Sequence, residues 1–142
     1  MSGEATKVYK DSNGDRLVIG AGGVLYRPTA AMATKSADYT LTKADSGKVI
    51  YVDTDGKVLT LPSTAPGLTF TIENAGADGA VGFSLSPAAA DQIQGAGLTA
   101  ADNKDLINTK ATAKKGDRVT VIGDGVDGWY IHEQIGTFAR EA

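Results

Sequence analysis

Short apolar runs separated by turn-forming residues recur along the chain, and in most of them apolar and polar positions alternate. The alternation is clearest at 68–72 and 81–85, where every second residue is apolar, as in a strand that buries one face. Residues 48–52 are apolar on both faces, which predicts a central strand. No window of eleven or more residues has a helical period. The pattern predicts a mainly β protein, a compact antiparallel sandwich or barrel with at most one or two short helices.

Other β-prone runs extend this prediction over the rest of the chain. They lie at 8–10, 16–19, 24–26, 58–61, 92–94, 118–122 and 129–132. Leu106-Ile107 is predicted to be a small apolar plug beneath the domain. The Ala- and Thr-rich stretch 29–38 is predicted to be a linker or docking arm, with a short helix as the alternative. We therefore divide the chain into residues 1–38, an N-terminal arm with a small β-hairpin, and residues 39–142, the main β domain.

Turn-forming residues mark where the predicted strands reverse. Asn13-Gly14 lies between two β-prone runs and is a strong hairpin signal, because both residues tolerate positive φ. Residues 53–56 predict a similar turn, after which the chain returns. The spacing of Tyr, Asp, Gly and Leu in 9–17 recurs in 51–59. It indicates either an internal repeat or, in the interpretation we favour, two hairpins built by the same turn rules.

Composition and charge exclude several classes of function. The 142-residue chain has no cysteine, which rules out disulfides, thiolate metal sites and cysteine nucleophiles. Its 14 basic and 17 acidic residues are interleaved and give a net charge of −3, so we expect no nucleic-acid partner. No apolar segment approaches about 20 residues, so we expect no membrane partner either.

Two glycine-containing motifs resemble binding loops. G-x-G-x-x-G at 123–128 matches a dinucleotide fingerprint, but that fingerprint needs a helix directly after the glycines. A β-prone run follows instead, so we predict a hairpin loop. Asp53-x-Asp55-Gly56 resembles the start of a calcium loop, but Pro62 stands where a bidentate glutamate is needed. Turn chemistry accounts for these aspartates without a metal.

The aromatic and histidine residues near the C-terminal end are the remaining candidates for chemistry. His132 is the single histidine, and no G-x-S-x-G motif accompanies it. We interpret His132 as a half-exposed sheet residue. Trp129 is expected to face the core and Tyr130 to face outward, as a candidate surface aromatic. We therefore expect no enzymatic activity, no cofactor and no metal.

Three stretches together resemble a known class of proteins. They are L-P-x-x-x-x-G-L-x-F-x-I at 61–72, G-D-x-V-T-V-x-x-D-G-x-x-x-W-Y at 116–130 and V-Y-K-D-x-x-G-D-R-L-V-I-x-x-G-G at 8–23. The combination resembles small structural proteins of tailed bacteriophages, with the head decoration, or capsid cement, proteins as the best match. The motifs are composed of hairpin and turn residues that other phage head and tail components also contain.

The resemblance implies a fold, partners and a location. It implies a β-rich domain, β-tulip-like in some members, that forms a homotrimer and binds the major capsid protein near capsid three-fold axes. The protein would lie on the capsid exterior of the virion after assembly in the host cytoplasm. An N-terminal segment would dock on the shell, and no catalytic site is implied.

Residues 1–35 have the small, β-prone character of an arm that orders on binding. The candidate docking residues are Val8, Tyr9, Leu17, Ile19, Tyr26 and Met32. In the alternative, residues 8–26 complete the sheet of the protein's own domain. A second function is also open: a ligand- or glycan-binding β module of a head fibre or tail, with Trp129 and Tyr130 stacking on sugar rings.

Overall fold

The computed structural model describes residues 8–10, 17–19, 31–95 and 97–142. The chain divides into two units, residues 1–30 and residues 31–142. In the part of the chain that is described, no helix is long and apolar enough to cross a membrane.

The first unit contains two short strands that pair with each other. They are β1 (Val8–Lys10) and β2 (Leu17–Ile19), and they run antiparallel with Val8 opposite Ile19. The hairpin predicted around Asn13-Gly14 is therefore confirmed at its two strands. The residues that connect them lie outside the described part of the chain.

The second unit is built from two sheets packed face to face. Its elements in chain order are β3 (Met32–Lys35), β4 (Tyr39–Thr40), a 3₁₀ turn (Lys43–Asp45), β5 (Val49–Val52), β6 (Lys57–Thr60), β7 (Thr69–Asn74), β8 (Phe83–Ser86), β9 (Gln92–Gln94), β10 (Leu106–Asn108), β11 (Arg118–Gly123), β12 (Gly128–Ile135) and β13 (Ala139–Arg140). The six-stranded sheet has the order β3-β5-β7-β11-β12-β9, and the five-stranded sheet the order β13-β10-β8-β6-β4. The prediction of a mainly β sandwich is confirmed.

Successive strands from β3 to β8 alternate between the two sheets. β3, β5 and β7 are parallel neighbours in the six-stranded sheet, and β4, β6 and β8 are parallel neighbours in the five-stranded sheet. The antiparallel strand pairs of this unit all involve β10 or β11. β10 pairs with β8 and β13, and β11 pairs with β7 and β12. The prediction of an antiparallel arrangement was therefore wrong: both sheets are mixed. Neither closes into a barrel.

The turn at 53–56 shows why the antiparallel prediction failed. It carries the chain from β5 in one sheet to β6 in the other, so the hairpin predicted for 51–59 does not form. Ile50 and Val52 face the core from one side and Leu59 faces it from the other. The backbone N–H of Gly56 donates to the carbonyl of Gly82 at 2.9 Å. This contact fixes the turn against β8 instead of closing a two-stranded ribbon.

The stretch predicted to be a linker contains a strand. β3 pairs in parallel with β5, from Met32 opposite Val49 to Lys35 opposite Val52. The division between the units also falls after residue 30, whereas the sequence placed it after residue 38. The reason is tertiary: β5 offers backbone donors and acceptors along its edge, and Met32–Lys35 satisfies them.

The core lies between the two sheets. Its largest fully buried side chains include Ile50, Phe70, Ile72, Leu59, Phe83, Leu85, Leu106 and Trp129. Trp129 packs against Phe70 with ring centroids 5.5 Å apart, within the range of favourable aromatic pairs. Leu106, predicted to be part of an apolar plug, is buried as expected but belongs to a strand, β10, that pairs with β8 and β13.

Candidate functional site

The predicted docking residues are distributed over both units. Val8 and Tyr9 belong to β1, Leu17 and Ile19 belong to β2, Tyr26 lies outside the described residues, and Met32 opens β3. Met32 is 60% exposed. Because β3 is an edge strand of the six-stranded sheet, Met32 lies beside backbone that can accept another strand.

The two neighbouring aromatic residues of β12 point to opposite sides of the sheet. Trp129 is completely buried, so its predicted inward orientation is confirmed, whereas Tyr130 is 50% exposed and lies opposite Ile122 of β11. Since Trp129 has no exposed face, the pair cannot bind a sugar ring together. Of these two residues, Tyr130 is the one whose ring is exposed for stacking on a sugar.

The glycine-rich motif at 123–128 forms the hairpin loop between β11 and β12, as predicted. The Asp124 carboxylate accepts hydrogen bonds from the backbone N–H groups of Val126, Asp127 and Gly128 at 2.8–3.0 Å. These bonds, that of Gly128 above all, hold the pKa of the Asp124 carboxyl below its usual range. These bonds stabilise the loop in a conformation that presents Val126, which is 79% exposed.

A second set of hydrogen bonds fastens this loop to the connection between β6 and β7. The Thr64 hydroxyl donates to the carbonyl of Gly128 at 2.5 Å and accepts from the N–H of Gly125 at 3.1 Å. The Thr64 N–H donates to the buried carboxylate of Asp91 at 2.7 Å. The end of the sandwich that carries Val126 is thus braced by side chains from three connections.

The Asp53-x-Asp55-Gly56 turn borders a surface pocket of about 220 Å³. Asp55 Oδ1 accepts from the N–H of Gly82 at 2.9 Å, and Asp55 Oδ2 accepts from Lys110 Nζ at 2.7 Å. The hydrogen bond from Lys110 is the main reason that the pKa of Asp55 lies below its usual range. The pocket is lined by Asp55, Gly56, Gly82, Phe83, Ser84, Ile107, Asn108, Thr109 and Lys110. Asp55 therefore ties the turn to β8 and to the pocket rim.

A cluster around Asp45 closes the end of the sandwich near β3 and β4. The buried Asp45 carboxylate accepts from the Tyr39 hydroxyl at 3.0 Å, from the Thr42 N–H at 3.0 Å and from Lys48 Nζ at 3.1 Å. Burial tends to raise the pKa of Asp45, but the donors outweigh it and the pKa lies below its usual range. Lys35 Nζ lies 3.4 Å from the centre of the Tyr39 ring, a cation–π contact.

A buried polar network joins the two sheets. Asn74 Nδ2, at the end of β7, donates to Asn108 Oδ1 of β10 at 2.7 Å. Asn108 Nδ2 donates in turn to Asp117 Oδ2 at 2.9 Å and to the carbonyl of Thr137 at 3.1 Å. All three polar side chains of this chain of bonds are buried. Sequence reasoning missed the network, because nothing in the local pattern shows that residues 34 positions apart will meet.

His132 lies at an irregularity of β12. Thr120 is opposite Glu133 and Val121 is opposite Ile131, so His132 is the extra residue of a β-bulge. Its side chain is exposed. Among the residues that the structure describes, no group of three or more His, Asp and Glu side chains is arranged to hold a metal ion.

The chain matches no protein-family model, and no curated protein is significantly similar to it.

Proposed function

We propose that this protein is a non-enzymatic structural protein of a tailed-phage virion. It binds the shell of major capsid protein from outside as a homotrimer, and by bridging neighbouring capsid subunits it stabilises the shell. It needs no cofactor for this role, and it reaches the virion by assembly in the host cytoplasm.

The observation that carries the proposal is that two of the three phage-like stretches meet at the centre of the six-stranded sheet. Residues 61–72 include most of β7, and residues 116–130 include β11 and the start of β12. β7 and β11 pair along five residues, from Arg118 opposite Glu73 to Ile122 opposite Thr69. These two stretches therefore contribute to one continuous piece of sheet, which supports a shared architecture more strongly than scattered turns would.

The mechanical character of the second unit suits a protein that clamps other subunits. Two of its turns are stabilised by bonds between a carboxylate and backbone N–H groups, at Asp124 and at Asp55. A surface that is ordered before binding loses little conformational entropy when it docks. The N-terminal residues 1–30, with Val8, Tyr9, Leu17, Ile19 and Tyr26, are proposed to be the shell-docking arm.

The test is binding to empty, expanded shells assembled from the major capsid protein of the same virus. We expect the full chain to co-sediment with these shells at saturable stoichiometry and to raise their resistance to heat and denaturant. A chain that lacks residues 1–30 should bind more weakly. Failure of the full chain to bind shells in any maturation state would refute the proposal.

The alternative function, a glycan-binding module, finds less support because Trp129 is buried. It would depend on Tyr130 as the stacking surface. A glycan array on which the wild type gives a signal that Tyr130→Ala abolishes would favour it over shell binding.

A further inference from the structure

The six-stranded sheet has two edges whose backbone is open among the described residues. One is β3, the first strand of the sheet. The other is the second half of β12, because β9 pairs with β12 only from Gly128 to Tyr130. The last four residues of β12, 132–135, are all exposed. Unpaired edges of this kind are the sites at which a sheet accepts a strand from another molecule.

The hydrogen bonds of β3 show which of its backbone groups point outward. The carbonyls of Ala31 and Lys35 accept from Val49 and Asp53, so they point toward β5. Backbone groups of successive residues in a strand point to opposite sides. The N–H and C=O groups of Met32 and Thr34 therefore point away from the sheet.

The outward-pointing groups of β12 follow from its pairing with β11. On its partner strand β11, the groups of Gly123 point toward β7, since its N–H donates to Leu68 at 2.8 Å. By alternation the groups of Val119 also point toward β7, and Val119 lies opposite Gln134. The N–H and C=O of Gln134 therefore point away from β11, toward the open side of β12.

The two edges match each other in direction, length and side chains. β3, β5 and β7 are parallel, and the two antiparallel steps from β7 through β11 to β12 make β12 parallel to β3. Each edge carries one exposed apolar side chain, Met32 at 60% and Ile135 at 45%. The Glu133 carboxylate of β12 is paired with Arg118 of β11 at 3.2 Å, so its charge is compensated within its own sheet.

A lysine on an edge strand commonly protects the edge against pairing. Here the Lys35 ammonium is held over the ring of Tyr39 at 3.4 Å. This contact folds the side chain across the end of the sandwich toward β4, so it leaves the outward backbone groups of Met32 and Thr34 accessible.

We infer that copies of this chain associate head to tail, with residues 132–135 of one copy adding as a parallel strand to β3 of the next. The two edges lie on opposite sides of one sheet, so each contact joins two different surfaces and is heterologous. When the assembly closes into a ring, both edges of every copy are paired. The inference rests on the oligomer of the proposed function and assigns its interface. The occupant of each edge is thus a second copy of the chain.

Proline substitutions test the two edges separately, because proline removes the outward N–H without disturbing the ladder on the inner side. Thr34→Pro blocks the β3 edge, and Gln134→Pro blocks the β12 edge. Native mass spectrometry of the full chain should show a closed oligomer for the wild type and monomers for each proline variant. The matched controls Thr34→Ala and Gln134→Ala keep the N–H and should remain oligomeric. A cooperative unfolding transition with Trp129 still shielded from quenching would show that each variant is folded, although loss of the oligomer should lower the midpoint.

Mixing the two proline variants gives the sharpest result. Each retains one intact edge, and the two intact edges are complementary, so an equimolar mixture should form a one-to-one heterodimer and nothing larger. A wild type that is monomeric, proline variants that keep the wild-type oligomer, or a mixture that stays monomeric would each overturn the interface. Shell binding is measured separately, so a protein that binds shells as a monomer would refute this interface and leave the capsid role intact.

Discussion

Asn108 is the centre of the buried network between the sheets, and replacing it by alanine measures what that network contributes to stability. Its Nδ2 donates to Asp117 Oδ2 at 2.9 Å and to the Thr137 carbonyl at 3.1 Å, and its Oδ1 accepts from Asn74 Nδ2 at 2.7 Å. Asn108→Ala removes these bonds together, and the side chain is fully buried, so water cannot readily replace them.

The size of the effect follows from what remains after the substitution. Asn74 Nδ2 keeps its bond to the Val81 carbonyl at 2.7 Å, and Asp117 Oδ2 keeps the Lys114 N–H at 3.0 Å. The network is therefore weakened but not left wholly unpaired. Two neutral bonds at about 1 kcal/mol each and one to a carboxylate at about 1.5–3 kcal/mol set an upper bound of about 3.5–5 kcal/mol. Because Asn74 and Asp117 keep these other partners, we expect a loss of about 2–4 kcal/mol. At about 2 kcal/mol/M in urea, the unfolding midpoint falls by about 1–2 M.

The assay is urea unfolding followed by the fluorescence of Trp129, with Thr109→Ala as the control. Thr109 is the exposed neighbour of Asn108, and its substitution should change the free energy of unfolding by less than about 0.5 kcal/mol. If Asn108→Ala costs less than about 1 kcal/mol at an unchanged m value, the network does not stabilise the fold as argued.

Three further predictions concern other parts of the second unit. Trp129 is the single tryptophan and is buried, so its emission should be blue-shifted and resist iodide quenching; strong quenching in the folded state would contradict the fold. Because the folded pKa of Asp45 is lowered, its contribution is present above about pH 4 and is lost as the pH falls through the folded pKa. In Asp45→Asn, the urea midpoint should therefore fall less steeply with decreasing pH than it does in the wild type. The same steepness in both proteins would count against this role of Asp45. Gly128→Ala places a methyl group on the backbone of Gln92, whereas the methyl group of Gly97→Ala, also at positive φ, meets open space. In urea unfolding, Gly128→Ala should therefore lower the free energy of unfolding by over about 1 kcal/mol more than Gly97→Ala does. Equal losses for the two variants would refute the clash.

The strands with strict alternation could be predicted from sequence. Residues 68–72 and 118–122 correspond closely to β7 and β11, because burial of one face imposes a period of two. The hairpin loop at 123–128 was also predicted, since the helix that a dinucleotide site needs was missing from the pattern. These elements depend on residues close together in the chain, so the local sequence was sufficient to predict them.

The path of the chain between strands could not be predicted in the same way. Residues 11–14 and 53–56 have the same turn chemistry, yet β1 and β2 pair as a hairpin while β5 and β6 enter different sheets. Turn-forming residues indicate that the chain changes direction, but they do not indicate which strand the next strand will pair with. That choice depends on distant strands, such as β3 and β7 on either side of β5.

The features of the candidate site that sequence missed depend on distant partners too. β3, with the sequence Met-Ala-Thr-Lys, has a weak strand pattern and owes its conformation to pairing with β5. The Asn74–Asn108 contact and the open edges of the six-stranded sheet likewise follow from topology. Tyr130, by contrast, was placed on the surface by simple alternation with Trp129 and is half exposed.

Binding of the purified full chain to expanded, empty shells of the major capsid protein tests the central claim most directly. Cryo-electron microscopy of shells with and without the protein should show added density on the outer surface at three-fold positions, with three copies in each. The shells that carry it should also withstand higher temperature. Shells that remain bare at saturating protein concentration, in every maturation state, would contradict the account.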